Sequence, residues 1–303
     1  MKRNFLIILA FIAASCSKTM EVDTPGLKVS IDAARLVNDT FTFKVGDTTR
    51  FLFSGDAGNI SFYSGELGKR YDSRSATKKL GNVIFSFSST AQFGTQTNTL
   101  TVLATNKLPG LDSVSVMNAD WTDITSRAAL ATSATLVNSG NINLTDLVQN
   151  ESDSLFIALK YSGVTGSTQR TWTITNWLVN NVLPERTVAV STLADDVAFW
   201  TRYGNVYFPA NGRWTPGATS LVLTGGAATA ATNTNWIISK PIYVGRIPGD
   251  LATGIKSIID PAKKEHLYMY PAAGIYKATF VAFNHTLDDE KSVIREIIIK
   301  VIP

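Results

Sequence analysis

Apolar and polar residues alternate with a period of two over residues 274–284. Tyr276, Ala278, Phe280 and Ala282 fall on one side of the chain, and Lys277, Thr279 and Val281 on the other. That period predicts a β-strand with one face against a core. Phe41, Phe43 and Val45 alternate in the same way, a Gly46-Asp47 turn follows, and residues 50–53 form the next apolar run. These two early stretches are the sequence's best partners for the late strand. Further strands are predicted over 29–37, 60–63, 83–87, 99–103, 155–161, 171–175, 188–190, 221–224 and 236–239. A last one covers 290–302, with Ile297, Ile299 and Val301 on one face. A helical period of 3.6 persists nowhere over a long window, although residues 144–149 suit a short helix.

The picture is therefore all-β, and composition sharpens it. The chain has 303 residues, 45% hydrophobic and 17% charged, enough apolar material for two cores. Met1-Lys2-Arg3-Asn4 is a basic start, followed by an apolar run over 5–14 that is too short to span a bilayer. Ala13, Ala14 and Ser15 then lead into Cys16, the sole cysteine. The arrangement resembles the lipobox of bacterial lipoproteins, which implies cleavage after residue 15 and lipidation of Cys16. A lone thiol in an exported chain has no disulfide partner, and lipidation gives it a use. Loss of residues 1–15 removes Lys2 and Arg3, so the formal charge falls from +4 to +2. That leaves no basic footprint for nucleic acid. Ser17 in place of aspartate implies, by resemblance to sorting signals, the outer membrane. Residues 16–26 are the lipidated cysteine and a polar tether closed by Pro25-Gly26.

Tyr270, Gly274 and Tyr276 make a tight entry to the late strand, similar to the tyrosine corner of immunoglobulin-like sandwiches. Together with the phenylalanine strands and Gly-Asp turns of the first sixty residues, this spacing resembles a split PKD-type domain. The expected organisation is a first half over 27–82, an inserted jelly-roll sandwich over 83–254 and a second half over 255–303. The jelly roll is expected to resemble galactose-binding or carbohydrate-binding modules. An insert in a surface loop with close ends costs the host little. All six tryptophans, at 121, 172, 177, 200, 214 and 236, lie in the insert.

Catalytic signatures are sparse. His266 and His285 have no ligand spacing, and neither a Gly-x-Ser-x-Gly turn nor a phosphate loop is present. Asp120, Asp123, Asp195 and Asp196 are carboxylates that a glycosidase would need in pairs, or they cap turns. Asp195 and Asp196 offer hard oxygens to a structural calcium ion, or form an exposed turn; no other cofactor is expected. Trp172 and Trp236 are predicted to be core, and Trp121 is open to either use. The segment 199–214 mixes aromatics with Gly, Asn, Arg and Pro, as a loop-rich edge would. Trp200, Tyr203, Tyr207 and Trp214, with Arg202, Asn205, Arg213 and Trp121, are candidates for a sugar platform. Aromatic faces stack on sugar C–H faces and the polar groups bond hydroxyls. The alternative is that the same aromatics fill the core.

Phe43-Lys44-Val45-Gly46-Asp47, Ile60-Ser61-Phe62-Tyr63-Ser64-Gly65-Glu66 and the stretch from Tyr270 to Asn284 resemble the Bacteroidetes lipoprotein family called domain of unknown function 5017. Asp47-Thr48-Thr49, Asp112-Ser113-Val114 and Asp153-Ser154-Leu155 also resemble the short O-glycosylation signal of that phylum. The family resemblance implies a surface lipoprotein of the outer membrane, similar to the SusE/SusF-like glycan-binding accessories. It implies as partners the membrane, polysaccharide, a TonB-dependent transporter and SusD-like proteins. Non-enzymatic glycan binding, a structural or adhesive docking role, and a glycosidase are the three readings in that order.

Overall fold

A computed structural model of the chain describes residues 20–37, 40–196, 200–204 and 213–303. The protein is all-β and sandwich-like. It divides into two compact units, one made of residues 1–75 with 249–303 and the other of 76–248. The first five strands are β1 (Lys28–Ser30), β2 (Leu36–Val37), β3 (Thr40–Lys44), β4 (Thr48–Ser54) and β5 (Asn59–Tyr63). The second unit carries β6 (Asn82–Gln92), β7 (Leu100–Thr105), β8 (Thr122–Asp123), β9 (Val137–Asn138), β10 (Ile142–Asn143), β11 (Ser154–Gly163) and β12 (Thr171–Val182). It continues with β13 (Thr187–Thr192), β14 (Thr201–Gly204), β15 (Trp214–Pro216), β16 (Ser220–Leu223), β17 (Asn233–Ile238) and β18 (Ile242–Tyr243). The chain then returns to the first unit with β19 (Thr253–Lys256), β20 (Glu265–Met269), β21 (Gly274–His285) and β22 (Glu290–Ile302).

In the first unit a three-stranded sheet, β1-β4-β20, faces a six-stranded one, β19-β5-β21-β22-β3-β2. The alternation of β21 buries Ala278, Phe280 and Ala282. Phe280 meets Phe51 edge-on at 5.0 Å and stacks on Phe62 at 4.8 Å, so early and late segments share one core. The direct neighbours of β21 correct the sequence expectation: they are β5 and β22. β3 lies one strand further out, parallel to β22, with Ile299 opposite Phe41 and Val301 opposite Phe43. β4 lies in the opposing sheet. Phe51 of β4 and Phe280 of β21 meet ring to ring across the core from opposing sheets. At the corner the Tyr270 hydroxyl donates to the Ser64 carbonyl at 3.1 Å, and the Tyr276 hydroxyl to the Ala272 carbonyl at 2.9 Å.

The expected tether through Thr24 is also corrected. Residues 20–26 are held to the unit, with the Gly26 amide donating to the Asp56 carbonyl at 2.7 Å. Gly55 permits this approach: its φ is +92°, and a Cβ there would sit 1.9 Å from the Gly26 carbonyl oxygen.

The second unit packs a seven-stranded sheet against a six-stranded one. The first orders β10-β6-β12-β16-β15, with β13 beside β12 and β9 beside β6. The other orders β14-β17-β11-β7-β8, with β18 beside β11. β12 buries Trp172 and Ile174, then Trp177 and Val179. Its register against β6 slips between Thr175 and Leu178, and Asn176 takes φ 52°. This bulge inserts one residue and resets the alternation, which is how Trp177 turns inward. Thr145–Leu147 forms a single 3₁₀ turn where a short helix was expected. Where the chain enters and leaves this unit, its two crossing segments pair. The Lys79 amide donates to the Gly245 carbonyl at 2.8 Å and the Ile247 amide to the Thr77 carbonyl at 3.0 Å. The contact-defined junctions accordingly fall after residues 75 and 248, a few residues before the sequence boundaries at 82 and 254.

Candidate functional site

The six-stranded sheet of the second unit has two faces of different chemistry. Along β11, Leu155, Ile157, Leu159 and Tyr161 point into the inter-sheet core. Phe156, Ala158, Lys160 and Ser162 therefore lie on the outer face. Register places Tyr203 of β14 beside Trp236 of β17, Trp236 beside Lys160, and Lys160 beside Thr101 of β7. At the usual strand spacing this row crosses the sheet over about 14 Å. Lys160 Nζ stands 5.2 Å from the Trp236 ring centroid, a cation–π contact.

A short helix, α1 (Ser113–Asn118), covers part of this face. Asp112 caps it, accepting from the Val114 and Ser115 amides at 3.1 and 2.9 Å. Val116 is buried beneath it with Leu103, Ala158, Trp236 and Ile238. Trp121 follows the helix, and its indole donates to the Val116 carbonyl at 2.7 Å. Its ring lies 6.0 Å from that of Trp236. Trp121, Tyr203 and Lys160 are half-buried, whereas Trp236 is only 7% exposed. Burial, and after it the nearby Asp112 charge, holds the Tyr203 phenol above its ordinary pKa. Hydrogen bonds from Ser115 draw the Asp112 carboxyl below its own. The outcome is two partly open aromatic faces, a fixed cation and a carboxylate on one sheet surface.

The row ends at Thr101, which also lines a cleft of about 410 Å³ with Gln96, Asn98, Asp123, Thr125 and Arg170. Arg170 braces it, donating from Nε to the Gln96 carbonyl and from Nη1 to the Ala91 carbonyl, both at 3.1 Å. Asp123 Oδ1 accepts from the Thr125 amide at 2.8 Å, a local turn bond. The cleft has the donors and acceptors to receive a hydroxyl-rich ligand.

The sequence candidates divide. Tyr203 and Trp121 come together around Trp236. Trp200 and Trp214 do not: they are 7% and 1% exposed and belong to the inter-sheet core. Trp200 packs edge-on against Trp177 at 5.1 Å, and the Trp214 indole donates to the Asn235 carbonyl at 3.3 Å. Their inclusion in a platform is corrected: Trp200, just before β14, and Trp214, on β15, both turn into the inter-sheet core. Arg202 and Arg213 serve the same scaffold. Arg202 Nη1 donates to the Trp214 carbonyl at 3.2 Å. Arg213 Nη1 donates to Gln169 Oε1 at 3.0 Å, and its amide donates to Asn235 Oδ1 at 2.9 Å. Asn205, Tyr207 and Cys16 lie outside the described residues.

Asp195 Oδ2 accepts from the Thr192 hydroxyl at 2.6 Å, a turn bond, and the Asp196 side chain is outside the described residues. Among the described residues no group of three or more His, Cys, Asp and Glu side chains is placed to hold a metal ion. Asp120 lines a different hollow, with Asn106 and Lys107. No helix among the described residues is long and apolar enough to cross a membrane.

Sequence reasoning missed Lys160; Trp236 is buried as expected, but in the smaller cluster under α1 rather than between the two sheets. A single charge within Leu155-Phe156-Ile157-Ala158-Leu159-Lys160-Tyr161 was the available signal for an outward face. Trp236-Ile237-Ile238 is a run of three apolar residues, so its phase was ambiguous. Ile237 points into the main core and Trp236 away from it.

Fold and site define an all-β protein of two sandwich-like units, with an aromatic and cationic sheet face on the second. The model of the family described as Domain of unknown function (DUF5017) matches residues 15–198, more than half of the chain, and the chain belongs to that family. No curated protein and no solved structure matches it.

Proposed function

We propose that this chain is a non-catalytic lipoprotein that binds polysaccharide on the outer face of the β14-β17-β11-β7-β8 sheet. In this reading it is a Bacteroidetes protein anchored in the outer membrane through Cys16, facing the cell surface. It serves a SusE/SusF-like accessory role beside a TonB-dependent transporter and SusD-like proteins. The observation that carries the binding site is the grouping of Trp121 and Tyr203 about Trp236, with Lys160 over its ring. Half-open aromatic faces offer stacking to sugar C–H surfaces. The cleft that Thr101 also lines adds polar groups that can bond hydroxyls.

The test is isothermal titration of the protein against a panel of polysaccharides. Heat of binding is expected with at least one of them. Trp121→Ala and Tyr203→Ala should each weaken that binding about tenfold, the equivalent of about 1.4 kcal/mol. Silence across the panel, or unchanged affinity in both variants, overturns the assignment.

A docking role has its own support, since five of the six tryptophans are buried and the open aromatic area is correspondingly small. In that reading the same face receives a protein. Cross-linking from Lys160 in intact cells to a protein neighbour, with no polysaccharide response, would favour it.

A further inference from the structure

Strands β21 and β22 are joined by the turn Thr286-Leu287-Asp288-Asp289, and this turn grips the start of the described chain. The Met20 amide donates to the Asp288 carboxylate at 3.3 Å, and the Val22 amide to the Asp289 carboxylate at 3.1 Å. The Thr286 hydroxyl donates to the Met20 carbonyl at 2.6 Å. Asn284 Nδ2 donates to the Asp23 carbonyl at 2.9 Å, while its Oδ1 accepts from the Gly58 amide at 2.7 Å. At the apex of this clamp Leu287 is 93% exposed, and Met20 beside it is 52% exposed.

We propose that the apex is a membrane foot, in which Leu287 with Met20 enters the interfacial layer of the bilayer that holds Cys16. The inference rests on the lipid anchor assigned above and adds to it a place on the protein. Cys16 and Met20 are four Cα steps apart, at most about 15 Å along a fully extended chain. The headgroup layer on each side of a bilayer takes up about 6 Å of such a span. Whatever path residues 17–19 follow, the clamped turn stays close to the headgroups. An exposed leucine there gains by leaving water.

Charge indicates which lipid surface the foot suits. The two clamped stretches carry Glu21, Asp23, Asp288, Asp289 and Glu290 against Lys291. An anionic headgroup layer would repel this rim, so a zwitterionic one fits best.

The experiment uses the lipidated full-length protein, extracted from membranes and reconstituted into phosphatidylcholine vesicles containing a shallow nitroxide-labelled lipid. Cys16 is the sole native cysteine, so in the acylated protein Leu287→Cys supplies one free thiol for an environment-sensitive fluorophore. Ile275→Cys is the control. It is also exposed, and it lies about 33 Å along β21 from His285. The label at 287 should be quenched at least twofold and its emission blue-shifted, with the label at 275 unchanged. An unquenched 287, or equal quenching at both positions, overturns the foot. Mass spectrometry of the N-terminal peptide from the same sample separates the two ideas. An unacylated Cys16 overturns anchor and foot together, whereas an acylated Cys16 with an unquenched 287 overturns the foot alone.

Discussion

Phe280→Ala probes whether segments from the two ends of the sequence depend on one another. The side chain is fully buried in β21 and contacts three rings, those of Phe51, Phe53 and Phe62, at 5.0, 5.2 and 4.8 Å. All three belong to strands β4 and β5, which precede the inserted unit. Truncating a buried phenylalanine costs about 3–5 kcal/mol in transfer and cavity terms. Each lost ring pair accounts for about 0.5–1.5 kcal/mol beyond area, so the upper part of the range is expected. Hydrogen exchange read by mass spectrometry at increasing urea is the suitable assay, because it follows each strand separately. Peptides covering 40–63 and 265–302 should lose protection together and by the same free energy. Tryptophan fluorescence reports only the second unit, which holds all six tryptophans, and its transition should stay in place. A loss below about 1 kcal/mol, or a loss confined to 265–302, would refute the shared core.

Two further outcomes are expected. Burial, and after it the Lys263 charge, holds the His266 imidazole below its ordinary pKa of 6.5, so the folded state binds the proton more weakly than the unfolded chain. Its contribution to the stability of the first unit is complete above pH 6.5 and is lost as pH falls below that value toward the folded pKa. Thermal melts between pH 5 and 8 should show this slope, and His266→Phe should flatten it. Trp214→Phe removes the indole bond to the Asn235 carbonyl and leaves a buried acceptor short, costing about 1–3 kcal/mol in the second unit. Titration with any polysaccharide that Trp121→Ala weakens should show Trp214→Phe unchanged within about twofold, and a tenfold loss would return Trp214 to the site.

How much of this was legible in the sequence depended on local periodicity. β21 was readable because Tyr276, Ala278, Phe280 and Ala282 keep strict phase. Trp177 was not, because the bulge at Asn176 breaks the phase and nothing local announces it. Pairing was harder still. β3 joins β22 in parallel, far apart in sequence, and a hydrophobic pattern fixes which face is buried but not which neighbour lies alongside. At the site, Trp121 and Tyr203 were found by residue type in polar surroundings. Trp200 and Trp214 have the same chemistry in sequence, and the inward course of the chain just before β14 and at β15 decided their burial. Asp112 before Ser113 and Val114 was a readable helix cap, yet six residues are too short a run for a helical period to stand out.

The parallel pairing of β3 with β22 also sets an order of events during biosynthesis. Residues 41–44 have no β22 beside them until residues 299–302 have been made, whereas the second unit has all its described strands once residue 248 has been made. The half-built first unit meanwhile leaves Phe43 and Phe51 without their late partners. A chaperone would meet the nascent protein there, before the inserted unit ever needed help.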